Sequence, residues 1–338
     1  MPISPVSRYG ANFRRDEIEL IIRFAQRGDS LAFVGLAGIG QSNLVNFLRQ
    51  IKEHAPQVRQ DVSRLHFPVV DATYWEGTPL SLWKIMLDAL NQASAQLSPP
   101  PEPQKIIPIS EEERVLNMIR SRLHWLCTEL EQRVMIVLDD FDEVLQAGPL
   151  SMLERLNGFR SEGNRDALSY LVLTKRLPHL LGQSYNLADA SKFYDLFRHH
   201  IYALEPYGAE DAHQMLKHLN EAAGSPLREK DLSEIRQLAG GHPLLLKAVF
   251  ELWAAEGMTG VNPLTYLAEQ PDAQQECRRI LHGLHPEEQA VLIRAARNAL
   301  TEADQAVVNH LVRRGVLTAD THKLFSPLLD QFLTDYEG

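Results

Sequence analysis

Cysteine is scarce: Cys127 and Cys277 are the only two in 338 residues. They are far apart and form no C-x-x-C or other paired spacing, which fits a reducing compartment and excludes a disulfide framework or a cysteine-based zinc site. No apolar run approaches the ~20 residues needed to span a bilayer, so no membrane role is expected. The N-terminal Met1-Pro2-Ile3-Ser4-Pro5 lacks the basic region, apolar stretch and small-residue cleavage site of a secretory leader, and a cytoplasmic location is expected. Basic residues are in deficit, 34 against 44 acidic, giving a net charge of −10. The mean field therefore repels polyanions, and nucleic-acid binding would need a local basic patch. No internal repeat of roughly 20 to 50 residues is found, which leaves a solenoid unsupported.

What is present is an ordinary globular composition, 44% hydrophobic and 23% charged, in a chain longer than one hydrophobic core usually organises. Leu31–Val34, His66–Asp71, Val134–Leu138, Leu168–Leu173 and His200–Leu204 read as buried strands, with helical patterns between them, including one from about Gln41 to Lys52. Continuous apolar strands separated by helices predict an α/β fold with a parallel sheet covered on both faces. Ser98-Pro99-Pro100-Pro101-Glu102-Pro103 cannot continue a helix and is expected to be a loop. Ser110 with Glu113 forms a capping-box pattern opening a helix to about Glu131. Beyond Pro206 helices dominate, near 209–220, 231–239 and 243–255. The last stretch reads as helices near 286–298 and 302–314 followed by two short apolar runs, Gly315-Val316-Leu317 and Lys323-Leu324-Phe325. The expected organisation is an α/β domain at 1–205, a helical domain at 206–276 and, from its helix, helix, hairpin pattern, a winged-helix domain at 277–338.

Gly35-Leu36-Ala37-Gly38-Ile39-Gly40-Gln41-Ser42 follows an expected strand, opens an expected helix, and matches G-x-x-x-x-G-K-[ST] except at the lysine. Such glycines let backbone amides wrap around phosphate oxygens, and the following helix presents its positive dipole end to the same anion. Gly35, Gly38, Ile39, Gly40, Gln41, Ser42 and Asn43 are the candidate nucleotide-binding residues, with Ser42 also a candidate magnesium ligand. Arg133-Val134-Met135-Ile136-Val137-Leu138-Asp139-Asp140 is a strand ending in two carboxylates, the arrangement that places an acid beside magnesium. Asp139 is the candidate for holding the metal through water and Asp140 for polarising the attacking water. Asp142 and Glu143 are expected mainly to cap the next helix. His199-His200 and His282-x-x-His285 lack a convincing third ligand and are given no metal.

Together these segments resemble the STAND-class ATPases, the branch of P-loop proteins that includes NB-ARC switches and lies close to the origin-recognition ATPases. Phe13-Arg14-Arg15-Asp16-Glu17-Ile18-Glu19-Leu20 resembles the family's G-R-E-x-E-L box near the adenine, with Arg14 in place of glycine. The resemblance thus implies that Arg15 contacts the nucleotide. Leu173-Thr174-Lys175-Arg176 resembles the T-x-R sensor, which implies that Arg176 reports on the terminal phosphate. Gly240-Gly241-His242-Pro243 resembles the lid's G-x-P motif, which implies that Pro243 packs on the base. The stretch Leu311 to Leu328 resembles the winged-helix module that follows the lid in these switches.

The P-loop lysine supplies a full positive charge to the β- and γ-phosphates, and glutamine keeps an amide donor without it. Hydrolysis is therefore expected to fall by orders of magnitude, with nucleotide binding weakened less. The expected function is a nucleotide-gated switch that binds ATP or ADP with magnesium and acts through a separate effector or sensor protein; homo-oligomerisation is compatible with it. Two alternatives stand beside it. One is an origin-recognition-like DNA-binding ATPase, with Arg313-Arg314 as a phosphate contact. The other is a pseudo-ATPase scaffold that binds no nucleotide.

Overall fold

A computed structural model describes residues 10, 12–97, 110–258 and 260–336. Residues 1–5 and the proline-rich segment 98–103, for which a leader and a loop were considered, lie outside the described residues. Among those residues the chain divides into two compact units. One holds Asp16–Val34 and Ser42–Tyr202; the other holds Gly35–Gln41, Ala203–Gly338 and the N-terminal segment up to Arg15.

The first unit is built on a six-stranded sheet: β1 (Leu31–Gly35), β2 (Leu65–His66), β3 (Val69–Asp71), β4 (Arg133–Asp139), β5 (Leu168–Thr174) and β6 (Ile201–Leu204). The order is β2-β4-β5-β1-β6, with β3 also on β4. β1 runs parallel to β5, and β4 parallel to β2, β3 and β5. The single strand expected over His66–Asp71 is two. Pro68 has no amide to donate to a ladder, although its carbonyl still accepts from Val137 N at 2.9 Å.

Helices α1 (Arg15–Arg27), α2 (Gln41–Arg49), α3 (Pro79–Ala93), α4 (Glu111–His124), α5 (Asp142–Ala147), α6 (Leu150–Ser161), α7 (Pro178–Leu181), α8 (Leu187–Ala190) and α9 (Lys192–Asp195) connect the strands. Ile136 and Tyr170 enter one cluster with Trp83 and Met86 of α3 and Ile119 of α4. The alternate residues Met135, Val137, Leu171 and Leu173 are also buried, so both faces of the sheet are covered, as uninterrupted apolar strands require. Ser110 Oγ accepts from Glu113 N at 3.1 Å and caps α4. This helix passes into a π turn at Trp125–Glu129 and so stops short of Glu131.

The second unit carries α10 (Ala209–Ala222), α11 (Glu229–Ala239), α12 (Pro243–Glu256), α13 (Pro263–Glu269), α14 (Pro271–His282), α15 (Pro286–Ala296), α16 (Gln305–Arg313) and α17 (Pro327–Thr334). The sequence reading omits α13, α14 and α17. Between α16 and α17 the expected hairpin is reduced to one antiparallel bridge, Leu317 with Leu324, flanked by Thr318 N to Lys323 O at 2.8 Å and Phe325 N to Val316 O at 3.1 Å.

Candidate functional site

β1 leads into the loop Gly35–Gln41, which opens α2. Gly38 and Gly40 have φ of 76° and 87°, a region glycine enters without the penalty a Cβ imposes. The backbone carbonyls at alternate loop positions are each held by a side chain of the same unit. Arg314 Nη2 reaches Gly35 O at 3.4 Å, His242 Nε2 is 3.1 Å from Ala37 O, and Arg14 Nη2 donates to Ile39 O at 2.7 Å. A carbonyl only accepts, so Nε2 of His242 carries the proton.

These three side chains are buried and anchored. Arg14 also donates to Glu205 O at 3.1 Å and lies 4.6 Å over the Tyr207 ring. Arg314 Nη1 bonds Glu288 Oε1 at 2.7 Å, with His310 Nε2 3.8 Å from the same oxygen. His242 stacks on Phe325, and its Nδ1 is buried with no hydrogen-bond partner among the described residues. Burial, reinforced by the charges of Arg14 and Arg279, depresses His242 to about 3 despite the Ala37 bond.

Side chains of α12 and of the segment before α10 press on the loop glycines. A Cβ at Gly38 would lie 2.1 Å from Leu244 Cδ1, and one at Gly40 would lie 2.7 Å from Tyr207 Oη and 3.2 Å from Pro243 Cγ. Pro243, assigned to the base from the G-x-P resemblance, is thus a neighbour of Gly40. Arg15, assigned to the nucleotide, is partly exposed with Nη1 3.4 Å from Asn12 Oδ1; it is Arg14 that enters the loop's surroundings. Arg314, considered as a DNA contact, is 3% exposed and committed to Glu288 and Gly35. Only Arg313 of that pair is exposed.

In the other unit, the parallel register sets Leu138 beside Val172 and Val34 beside Thr174, so the carboxyl ends of β4, β5 and β1 share one edge. Asp139 closes β4, and Asp140 follows with φ of 52°. Lys175 Nζ lies 2.5 Å from Asp140 Oδ1. The Asp142 carboxylate accepts from Lys175 N at 3.0 Å and Arg176 N at 3.2 Å. Asp142 begins α5, but its carboxylate fixes the exit of β5 instead of capping its own helix. Burial raises its pKa, against those hydrogen bonds and the Lys175 charge. The Arg176 guanidinium has no hydrogen bond or ion pair among the described residues. Ser42 is exposed at the start of α2, with Gln41 and Asn43 partly exposed beside it.

The loop's glycine conformations, its side-chain-held carbonyls and the nine-residue helix that Gln41 opens fit an anion. Ser42 and Asp139 are oxygen donors of the type magnesium takes, and no cluster of three or more His, Cys, Asp or Glu able to hold a metal occurs among the described residues. Magnesium bound here would depend on phosphate and water for its remaining ligands. Gln41 adds an amide and no charge.

Sequence reasoning missed Arg14 as a loop contact, together with His242, Asp142 and Lys175. A signal was available only for Arg14, an arginine where the resembling box has glycine.

No family model matches the chain, and no curated protein matches it. Solved structures do. A Walker-type ATPase of Pyrococcus abyssi, PABY2304, aligns with TM-score 0.60 and 15% identity over 94% of both chains. The ADP form of the Aeropyrum pernix ORC2 protein aligns with TM-score 0.52 and 13% identity, over 95% of this chain and 92% of that one. A STAND protein with a tetratricopeptide-repeat sensor from Pyrococcus horikoshii aligns at TM-score 0.34, with 12% identity over 95% of this chain and 42% of that one, too low to carry an argument. The chain has the α/β P-loop fold of Walker-type ATPases.

Proposed function

We propose that the chain is a nucleotide-binding regulatory protein of the P-loop ATPase class, in which Gln41 leaves hydrolysis weak or absent. The observation that carries this is the loop itself: Gly38 and Gly40 in left-handed conformations with alternate carbonyls held by Arg314, His242 and Arg14. Within a trans peptide unit the amide points opposite to its carbonyl, so carbonyls held on one side leave amides for the other, and convergent amides are what bind phosphate. In this reading ATP or ADP rests its phosphates on Gly35–Gln41, with Pro243 beside Gly40, and Ser42 and Asp139 hold magnesium. Magnesium would neutralise phosphate charge, while the loop orients the phosphates and Arg176, uncommitted elsewhere, answers to the terminal one. Because hydrolysis is slow, the output is a change in which protein partner is bound, and the helices after the lid serve as a winged-helix module in that contact.

A pseudo-ATPase scaffold is the second reading, favoured by Leu244 and Tyr207 lying against the loop glycines. DNA binding through Arg313-Arg314 is disfavoured by the burial of Arg314. Calorimetric titration of magnesium-ATP and ADP into the protein and into Gln41→Lys decides between the first two. Binding by both forms is expected, about ten-fold tighter for lysine, roughly 1.4 kcal/mol, with hydrolysis measurable only in the lysine form. No binding by either form would establish the scaffold.

A further inference from the structure

At the edge of the sheet opposite Asp139 and Thr174, the amino ends of β4 and β5 frame a cavity of about 860 Å³. Arg133 opens β4, Arg165 belongs to the turn entering β5, Arg160 comes from α6 and Lys192 from α9. Arg64 lines the cavity as well, paired with Glu131 at 2.8 Å. Arg133, Arg165 and Lys192 have no side-chain hydrogen bond or ion pair among the described residues. Arg160 donates only to neutral carbonyls, Leu168 O at 3.1 Å and Gly28 O at 2.7 Å. Of the carboxylates in the lining, Glu131 is taken by Arg64 and Asp195 by Arg198 at 3.1 Å, which leaves Asp166.

Four cations without a bonded acid thus face one uncommitted carboxylate, in a chain whose net charge is −10. A recess lined by one sign of charge raises the local concentration of anions. Burial and then the charge of Arg165 lower the pKa of Arg160, against Asp29, Tyr170 and Asp166. Phosphate fits better than carboxylate, because each phosphate brings up to two charges and three acceptor oxygens. The volume is that of a small-molecule site. The Cys127 thiol in the lining is pushed by burial to about 12, so it contributes no nucleophile there.

We infer that this cavity is a binding site for a small oligophosphate, separate from the glycine loop. The inference does not depend on nucleotide binding at that loop. Tripolyphosphate is titrated into the full chain at low ionic strength while the methyl resonances of Ala167 and Leu196, which line the cavity, are followed by NMR. Saturable shifts are expected, and Arg133→Ser/Arg165→Ser/Lys192→Ser should weaken them about ten-fold or more, with the melting temperature unchanged because these side chains hold no partner. Gln41→Lys should leave them unaltered, which separates this site from the loop. Absence of saturable shifts, or equal affinity in the triple variant, would overturn the inference. Citrate binding as tightly as tripolyphosphate would overturn the assignment to phosphate.

Discussion

His242 donates one ring nitrogen to Ala37, and its other is buried with no hydrogen-bond partner among the described residues. A base held neutral in this way couples stability to pH. Its folded pKa, about 3, lies below the ordinary value near 6.5, so in this range the unfolded chain binds one more proton than the folded one. The contribution is fully present above about pH 6.5 and is lost as pH falls toward 3, at about 1.4 kcal/mol per pH unit. Denaturant unfolding measured from pH 7 to pH 4 should show this slope, and His242→Gln should flatten it. At this scale the sequence was least informative. The Ala37–His242 and Gly35–Arg314 contacts join residues 205 and 279 positions apart, and no periodicity or motif announces such a pairing. Gln41, Ser42 and Asp139 could be read because their roles follow from chain-local order: strand, glycines, helix; strand, acid.

Among the elements, the long strands β4 and β5 were legible to within a residue or so because both faces are buried and leave an uninterrupted apolar run. The second strand was misjudged at Pro68, where one missing amide divides it. α13 was overlooked although Asn262 caps it, accepting from Leu264 N at 3.1 Å. Gly257 and Gly260 precede it, and Pro263 sits in its first turn, where it costs no hydrogen bond. The loop supplies the prediction at this scale. Gly38→Ala should destabilise by roughly 1–2 kcal/mol from the left-handed backbone alone, with a further loss from overlap with Leu244. Adding Leu244→Ala should recover the overlap and leave the backbone cost, so urea unfolding of the two singles and the double should be non-additive. Additivity would mean that the leucine does not press on Gly38.

At the scale of the whole molecule, the loop Gly35–Gln41 groups with α10–α17, and the stretches on either side of it in the chain, Asp16–Val34 and Ser42–Tyr202, group elsewhere. Nucleotide occupying the loop should therefore be felt in α12. With saturating magnesium-ADP, hydrogen exchange should slow in 35–41 and in 242–246 together; slowing confined to the loop would argue against a switch that works through the lid. No helix among the described residues is long and apolar enough to cross a membrane.

The contacts on the loop glycines also bear on how such a chain changes over evolutionary time. Leu244 and Tyr207 exclude a Cβ at Gly38 and Gly40 whether or not a phosphate is ever bound. A descendant that lost its nucleotide would still be under selection for both glycines, through folding alone. The glycine signature of a phosphate loop can thus outlive its chemistry.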